Sequence, residues 1–208
     1  MKKTQEIRLV SNGDDLDAVL DEAAKFSESM NLAAKDSLRV MLLTEETMGM
    51  IKTLTGEMEL ILSFIGQEDE CIIRVETDTM MNIVKKENIL AVSSTGKNAM
   101  AKGIMGKVRD AFETASMMSG GSDLSAYSSP FMVTGMPMNV YPDRLMDRVY
   151  WTLDGYKKSV EDEEDSPEHK ERWDELEKSI VSNIADDVQV GVRNGHVVMT
   201  IIYKCKNV

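Results

Sequence analysis

Hydrophobic and polar positions alternate over residues 5–10, with Ile7 and Leu9 set against Glu6 and Arg8, and this predicts a first strand. Asn12–Gly13 closes it, and Asp14 or Asp15 stands where a helix cap belongs. From Leu16 to Met30 the period becomes helical, with Leu16, Val19, Leu20, Ala23, Ala24 and Met30 on one side. A second helix is expected from Leu38 to Leu54, on a stripe of Leu38, Met41, Leu42, Met48 and Ile51. Alternation returns at Met58, Leu60, Leu62 and Phe64, turns at Gly66–Asp69, and resumes at Cys71, Ile73 and Val75. Residues 57–66 and 71–78 are therefore expected as a hairpin. The chain closes with Val188, Val190 and Val192, an Asn194–Gly195 turn, and a strand from Val197 to Lys204. Asn-Gly between alternating runs is the strongest short-range hairpin signal a sequence carries. Strand, two helices, then antiparallel strands predict an α+β fold: a two-layer sandwich of a mixed, mostly antiparallel sheet with helices on one face. A doubly wound parallel sheet fits this order less well.

Between the hairpins the period loosens. Residues 79–118 set Lys85, Lys86, Lys97, Lys102, Lys107 and Arg109 against Glu87, Asp110 and Glu113, a basic excess in an acidic chain. A helix is expected from about Ala101 to Met117, with Ile104, Val108, Ala111, Phe112 and Ala115 as its inner face. A basic, glycine-containing loop feeding a helix is where an anion would be held. Residues 119–142 read as loop, broken by Gly120–Gly121, Pro130, Gly135, Pro137 and Pro142. A helix is expected over 144–160. The acidic run 161–177 reads as a solvated linker becoming the outer face of a helix through Trp173, Leu176, Ile180 and Ile184. The organisation expected is one domain over 1–208, with a loop and helical insertion at 118–185 and a closing hairpin at 186–204. The sequence displays no internal repeat.

Composition narrows the function classes. A net charge of −12, from 24 basic and 36 acidic side chains, argues against nucleic-acid binding, which rests on neutralising phosphates. Two cysteines, Cys71 and Cys205, supply neither a disulfide framework nor metal-ligand spacing, so a reducing, cytoplasmic compartment is expected. The start, MKKTQEIRLV, has no apolar run behind its lysines and does not read as a signal peptide. No window reaches membrane-spanning length, so no membrane partner is expected. The 17 methionines read as flexible core filler before they read as a binding groove.

Candidate chemistry begins with Glu45 and Glu46, which interrupt the apolar stripe of the second helix. An unpaired buried charge is costly, and the simplest arrangement turns both to solvent. Their context is more specific. The helix precedes a hairpin that ends on Asp78, and beyond it Lys102-Gly103-Ile104-Met105-Gly106-Lys107 opens a predicted helix. This order resembles the nucleotide-binding domain of the GHKL ATPase superfamily, which includes gyrase, histidine kinases, mismatch-repair ATPases and the small anti-sigma-factor serine kinases. The last share the small size and the adjacent glutamates. The resemblance implies Glu46 as catalytic base, Asp78 as the contact to the adenine amino group, and Lys102, Gly103, Gly106 and Lys107 as the phosphate seat. It further implies ATP as ligand, a regulatory protein partner, and a homodimer.

Each motif also departs from the family. Met50 stands where the family has a magnesium-holding Asn, and a thioether does not replace an amide oxygen at a hard cation. No metal ligand is assigned, and both magnesium and turnover are disfavoured. Asp78-Thr79-Met80-Met81-Asn82 keeps the aspartate of D-x-G-x-G without either glycine, and Gly195-His196-Val197 lacks the family's threonine. A lone strand-end aspartate is ordinarily a turn former, and a glycine pair equally permits close helix packing. The run STGKN is not a Walker loop, because Ala91 and Asn98 replace its first glycine and its hydroxyl residue. His169 and His196 are assigned no role. Two readings follow: an ATP-binding regulatory protein of the anti-sigma-kinase type, or a pseudo-ATPase acting as a protein interaction module. If active, the first would be a serine/threonine protein kinase or ATPase. In the second, Trp151, Trp173 and the acidic run would form the contact surface, although packing is the simpler role for each tryptophan. A third reading is an unrelated α+β sandwich. A plug of Met50, Met80 and Met81 would favour a dead site.

Overall fold

The computed structural model describes residues 2–3, 6–10, 15–55, 59–67, 69–78, 149–162, 167–193 and 196–205. The helix expected at 101–117, the loop at 119–142 and the Lys102–Lys107 phosphate seat lie outside the described residues. The elements are β1 (Lys2–Lys3), β2 (Ile7–Val10), α1 (Leu16–Ser29), α2 (Ala34–Thr55), β3 (Glu59–Gln67) and β4 (Glu70–Asp78). Then come β5 (Val149–Thr152), α3 (Leu153–Glu161), α4 (Pro167–Lys178), α5 (Ile180–Ile184), β6 (Asp187–Arg193) and β7 (His196–Lys204). The strands form one sheet in the order β1-β3-β4-β7-β6-β5, with β2 also along β3. Every described pairing is antiparallel. Helices layer on the sheet, giving the α+β two-layer sandwich that the element order predicts.

The core lies between the layers. Val19, Ala23 and Phe26 give α1 its buried side, and the Phe26 ring stacks on Phe64 of β3 with centroids 5.5 Å apart. Asn31, with φ of 54°, turns the chain between α1 and α2; asparagine accepts this left-handed conformation readily. The buried side of α2 is Val40, Leu43, Thr44, Thr47, Met48, Met50 and Ile51. Leu38, placed on the expected stripe, is 67% exposed. Met48 and Ile51 of that stripe are buried, and the buried side also takes in Val40, Leu43 and two threonines outside it. Thr44 and Thr47 are buried because their hydroxyls donate to the helix's own carbonyls, at Val40 (2.7 Å) and Leu43 (2.6 Å).

The expected helix over 144–160 is corrected at its start. Val149–Thr152 is a strand, paired with β6 from Val149↔Val192 to Thr152↔Gln189. Its β-branched and aromatic residues fit a pleated surface, and pairing with β6 overrides the local helical reading. Thr152 then caps α3, its hydroxyl accepting the Gly155 N–H at 3.0 Å. Trp151, Leu153, Tyr156, Val160, Leu176 and Val181 join the same hydrophobic cluster as α1 and α2. The described residues of β5, α3, α4 and α5 thus pack into the same core as α1 and α2.

The sheet also contains a duplication that the sequence conceals. Strand, helices and hairpin occur once as β2-α1-α2-β3-β4 and again as β5-α3-α4-α5-β6-β7. The two units meet at β4 and β7, where Glu70 pairs with Lys204, Arg74 with Thr200 and Asp78 with His196. A half-turn about an axis through the Arg74–Thr200 pair exchanges β4 with β7 and β3 with β6, in register. Under it Gln67↔Glu70 becomes Arg193↔His196, and Ile61↔Glu76 becomes Asp187↔Ile202.

Candidate functional site

Side-chain parity on β4 decides which of the expected site residues meet. Cys71, Ile73 and Val75 belong to the core cluster under the helices, and successive strand residues point to opposite faces. Arg74, Glu76 and Asp78 therefore share the face opposite to α1 and α2. Glu46 is half-buried on α2, within the helical layer, and Glu45 beside it is exposed. The sheet stands between the Glu46 and Asp78 carboxylates, and the two are not brought together. Met50 is buried in the core cluster. Met80 and Met81, the other parts of the suggested plug, lie outside the described residues.

Asp78 has a different companion. Its Oδ1 lies 2.8 Å from Nδ1 of His196, directly across the ladder, while Nε2 of the same ring is 3.4 Å from Oε2 of Glu76. The other Glu76 oxygen accepts from Arg74 Nε at 2.7 Å. The result is a chain of polar side chains, Arg74–Glu76–His196–Asp78, along the β4–β7 seam. Both ring nitrogens of His196 face carboxylates, and a neutral imidazole has one N–H to give, so its tautomer satisfies one partner at a time. With Asp78 and His196 both well exposed, water screens this chain and its worth to stability is small.

Beside this chain runs a polar row that the sequence does not reveal. Ser63 pairs with Arg74, Arg74 with Thr200, Thr200 with Gln189, and Gln189 with Thr152, so five strands each contribute one polar residue. Ser63, Thr200, Gln189 and Thr152 are all buried. Polar groups in such positions are ordinarily hydrogen-bonded. Gln189 Nε2 donates to Asp187 Oδ2 at 2.8 Å, yet Thr200 Oγ1 is enclosed and has no partner among the described residues. Burial raises the pKa of the Asp187 carboxyl, against the hydrogen bonds from Gln189, Asp154 N and Val188 N that favour its ionised form. A signal for the row was present in each strand as one polar residue among apolar neighbours, but aligning these residues required the register.

Among the described residues, no three or more His, Cys, Asp or Glu side chains are arranged to hold a metal ion. No described helix is long and apolar enough to cross a membrane. Of the two tryptophans, Trp151 is buried in the core, whereas Trp173 is 38% exposed and borders a surface concavity with Glu161, His169, Lys170 and Asp174. No family model matches the chain, and neither the curated proteins nor the solved structures include a significant match to it.

Proposed function

We propose that this protein is a non-catalytic regulatory module that works by binding a protein partner, on a scaffold whose element order resembles the GHKL ATPases. The observation that carries this reading is Met50. Where phosphoryl transfer requires an oxygen ligand to position a metal, the chain has a thioether packed into the core. The separation of Glu46 from Asp78 by the sheet and the engagement of Asp78 by His196 support it further. The surface we assign to the partner is the concavity beside Trp173, whose aromatic ring and acidic neighbours suit a basic side chain.

A second reading is favoured by one observation, the enclosed Thr200 hydroxyl without a partner among the described residues. In that reading a small polar ligand completes the row on the far face of the sheet. A thermal melt with and without millimolar ATP and magnesium separates both readings from the nucleotide-binding one. A ligand bound only by the folded state, at a hundred times its Kd, adds about 2.7 kcal/mol. No shift is expected. A clear rise in Tm that Asp78→Ala abolishes would overturn the proposal and restore the adenine site.

A further inference from the structure

The two cysteines, distant in sequence, are adjacent in the fold. Cys71 is the second residue of β4 and Cys205 follows the last residue of β7, diagonal to it across the ladder. Their sulfurs are 3.3 Å apart, and both side chains are buried. Cys205 is held by its own backbone, which donates to Asp69 O at 2.6 Å, while its thiol donates to the same carbonyl at 3.1 Å. With that proton committed to Asp69, the proton between the sulfurs belongs to Cys71. The hydrogen bonds therefore run Cys71 S–H to Cys205 Sγ, then Cys205 S–H to Asp69 O.

We propose that Cys71 and Cys205 form a reversible dithiol–disulfide site, whose oxidant is a small-molecule disulfide reacting by thiol–disulfide exchange. A disulfide needs its sulfurs about 2.05 Å apart, so the bond forms through a sulfur displacement of roughly 1.3 Å. The two thiols are not equivalent. Burial, reinforced by the hydrogen bond to Cys205, pushes the Cys71 thiol well above its usual range and keeps it protonated. Cys205 sits at the end of the ladder, where local opening exposes it with the least disruption.

Cys205 is thus the attacking sulfur. Its thiolate displaces one thiolate from the oxidant and forms a mixed disulfide. The Cys71 sulfur then gives up its proton and attacks Cys205 Sγ, displacing the second. Two protein thiols and one small-molecule disulfide become one protein disulfide and two small-molecule thiols, with two electrons and two protons passing to the latter. The product staples the two central strands together and closes a loop that spans most of the chain, the case in which a cross-link constrains the unfolded state most. This site is independent of the partner-binding reading.

The test uses the full-length protein equilibrated with reduced and oxidised glutathione in varied ratio, quenched with acid, and alkylated under denaturing conditions. Reduced protein should take up two alkyl groups. Oxidised protein should take up none, should be lighter by two hydrogens, and should yield one cross-linked peptide pair containing Cys71 and Cys205. Its Tm should exceed that of the reduced form, and returning the thiol should reverse all four changes. Protein that keeps two alkylatable thiols in excess oxidant, or that collects glutathione on each cysteine without closing, would overturn the proposal. Cys71→Ser should trap glutathione on Cys205, whereas Cys205→Ser should leave Cys71 unmodified, and the reverse pattern would refute the assigned order of attack. Mapping the unsubstituted protein decides the pairing even if either variant fails to fold.

Discussion

Replacing Tyr203 by phenylalanine should destabilise the protein by about 2 kcal/mol at neutral pH. The Tyr203 ring is buried on β7, and its hydroxyl donates to the buried Asp36 carboxylate while accepting from Arg39 Nη1 at 3.0 Å. Phenylalanine preserves the ring, its packing and the Arg39 guanidinium 5.8 Å above it, so the change isolates the hydroxyl. What remains for Asp36 is Arg39 at 3.8 Å, a partly exposed cation that water screens. A hydrogen bond to a charged group contributes about 1.5–3 kcal/mol, and the mobility of Arg39 places the expected loss near the middle of that range. For a chain of this size the corresponding fall in Tm is roughly 4–8 °C. Urea unfolding followed by circular dichroism should show a lower midpoint at an unchanged slope. The difference should also depend on pH in one direction. Burial, and next the bond to Asp36, raise the Tyr203 pKa above its ordinary value near 10. Its stabilisation is therefore complete below about pH 10 and is lost as pH rises through the higher folded-state value. A gap between the two proteins under about 0.5 kcal/mol at pH 7, or one that stays constant into strongly alkaline solution, would refute this account.

Two further substitutions examine the core and the polar row. Phe64→Ala removes a fully buried ring that stacks on Phe26, and should cost about 3–5 kcal/mol in urea unfolding; a loss below about 1.5 kcal/mol would mean that the layers repack freely. Thr200→Val removes an enclosed hydroxyl with no partner among the described residues and should leave Tm unchanged or raise it, whereas Thr44→Val, which breaks the bond to Val40, should lower stability by about 1 kcal/mol. Destabilisation by Thr200→Val comparable to that of Thr44→Val would show that the Thr200 hydroxyl has a partner in solution, as the small-ligand reading requires.

How far the sequence could be read depended on whether the deciding interaction was local. The two hairpins, β3–β4 and β6–β7, announced themselves through alternation and turn residues, because both strands of each pair lie within a short stretch of chain. Helix α1 ends within a residue of its expected boundary for the same reason. Met48 and Ile51 of the expected α2 stripe are buried, whereas Thr44 and Thr47 satisfy their hydroxyls on the helix backbone, so residue type misreports burial there. Strand β5, four residues long, has too few positions to display a period, and its pairing with β6 depends on a partner over thirty residues away. The site was the least legible part. Register places His196, to which the sequence assigns no role, opposite Asp78. The Ser63–Thr152 row and the Cys71–Cys205 pair are properties of strand order alone, which no single window of sequence contains.

The approximate two-fold axis bears on how such a molecule comes to exist and to fold. Each unit taken alone would end in a nine-residue central strand, β4 or β7, with one side unpaired. A bare edge of that length, carrying Ile72, Ile73 and Val75 or Ile201 and Ile202, is a template for self-association. The same register that joins β4 to β7 within one chain would let two copies of a single unit join about a true axis, as in an isologous dimer. Covalent linkage of the halves turns that concentration-dependent encounter into an intramolecular closure. It also frees the residues on the axis to differ, as arginine and threonine now do. Because the seam joins segments more than a hundred residues apart, it should close after the hairpins have formed, and until then the nascent chain carries two complementary edges that find each other before they find a neighbour.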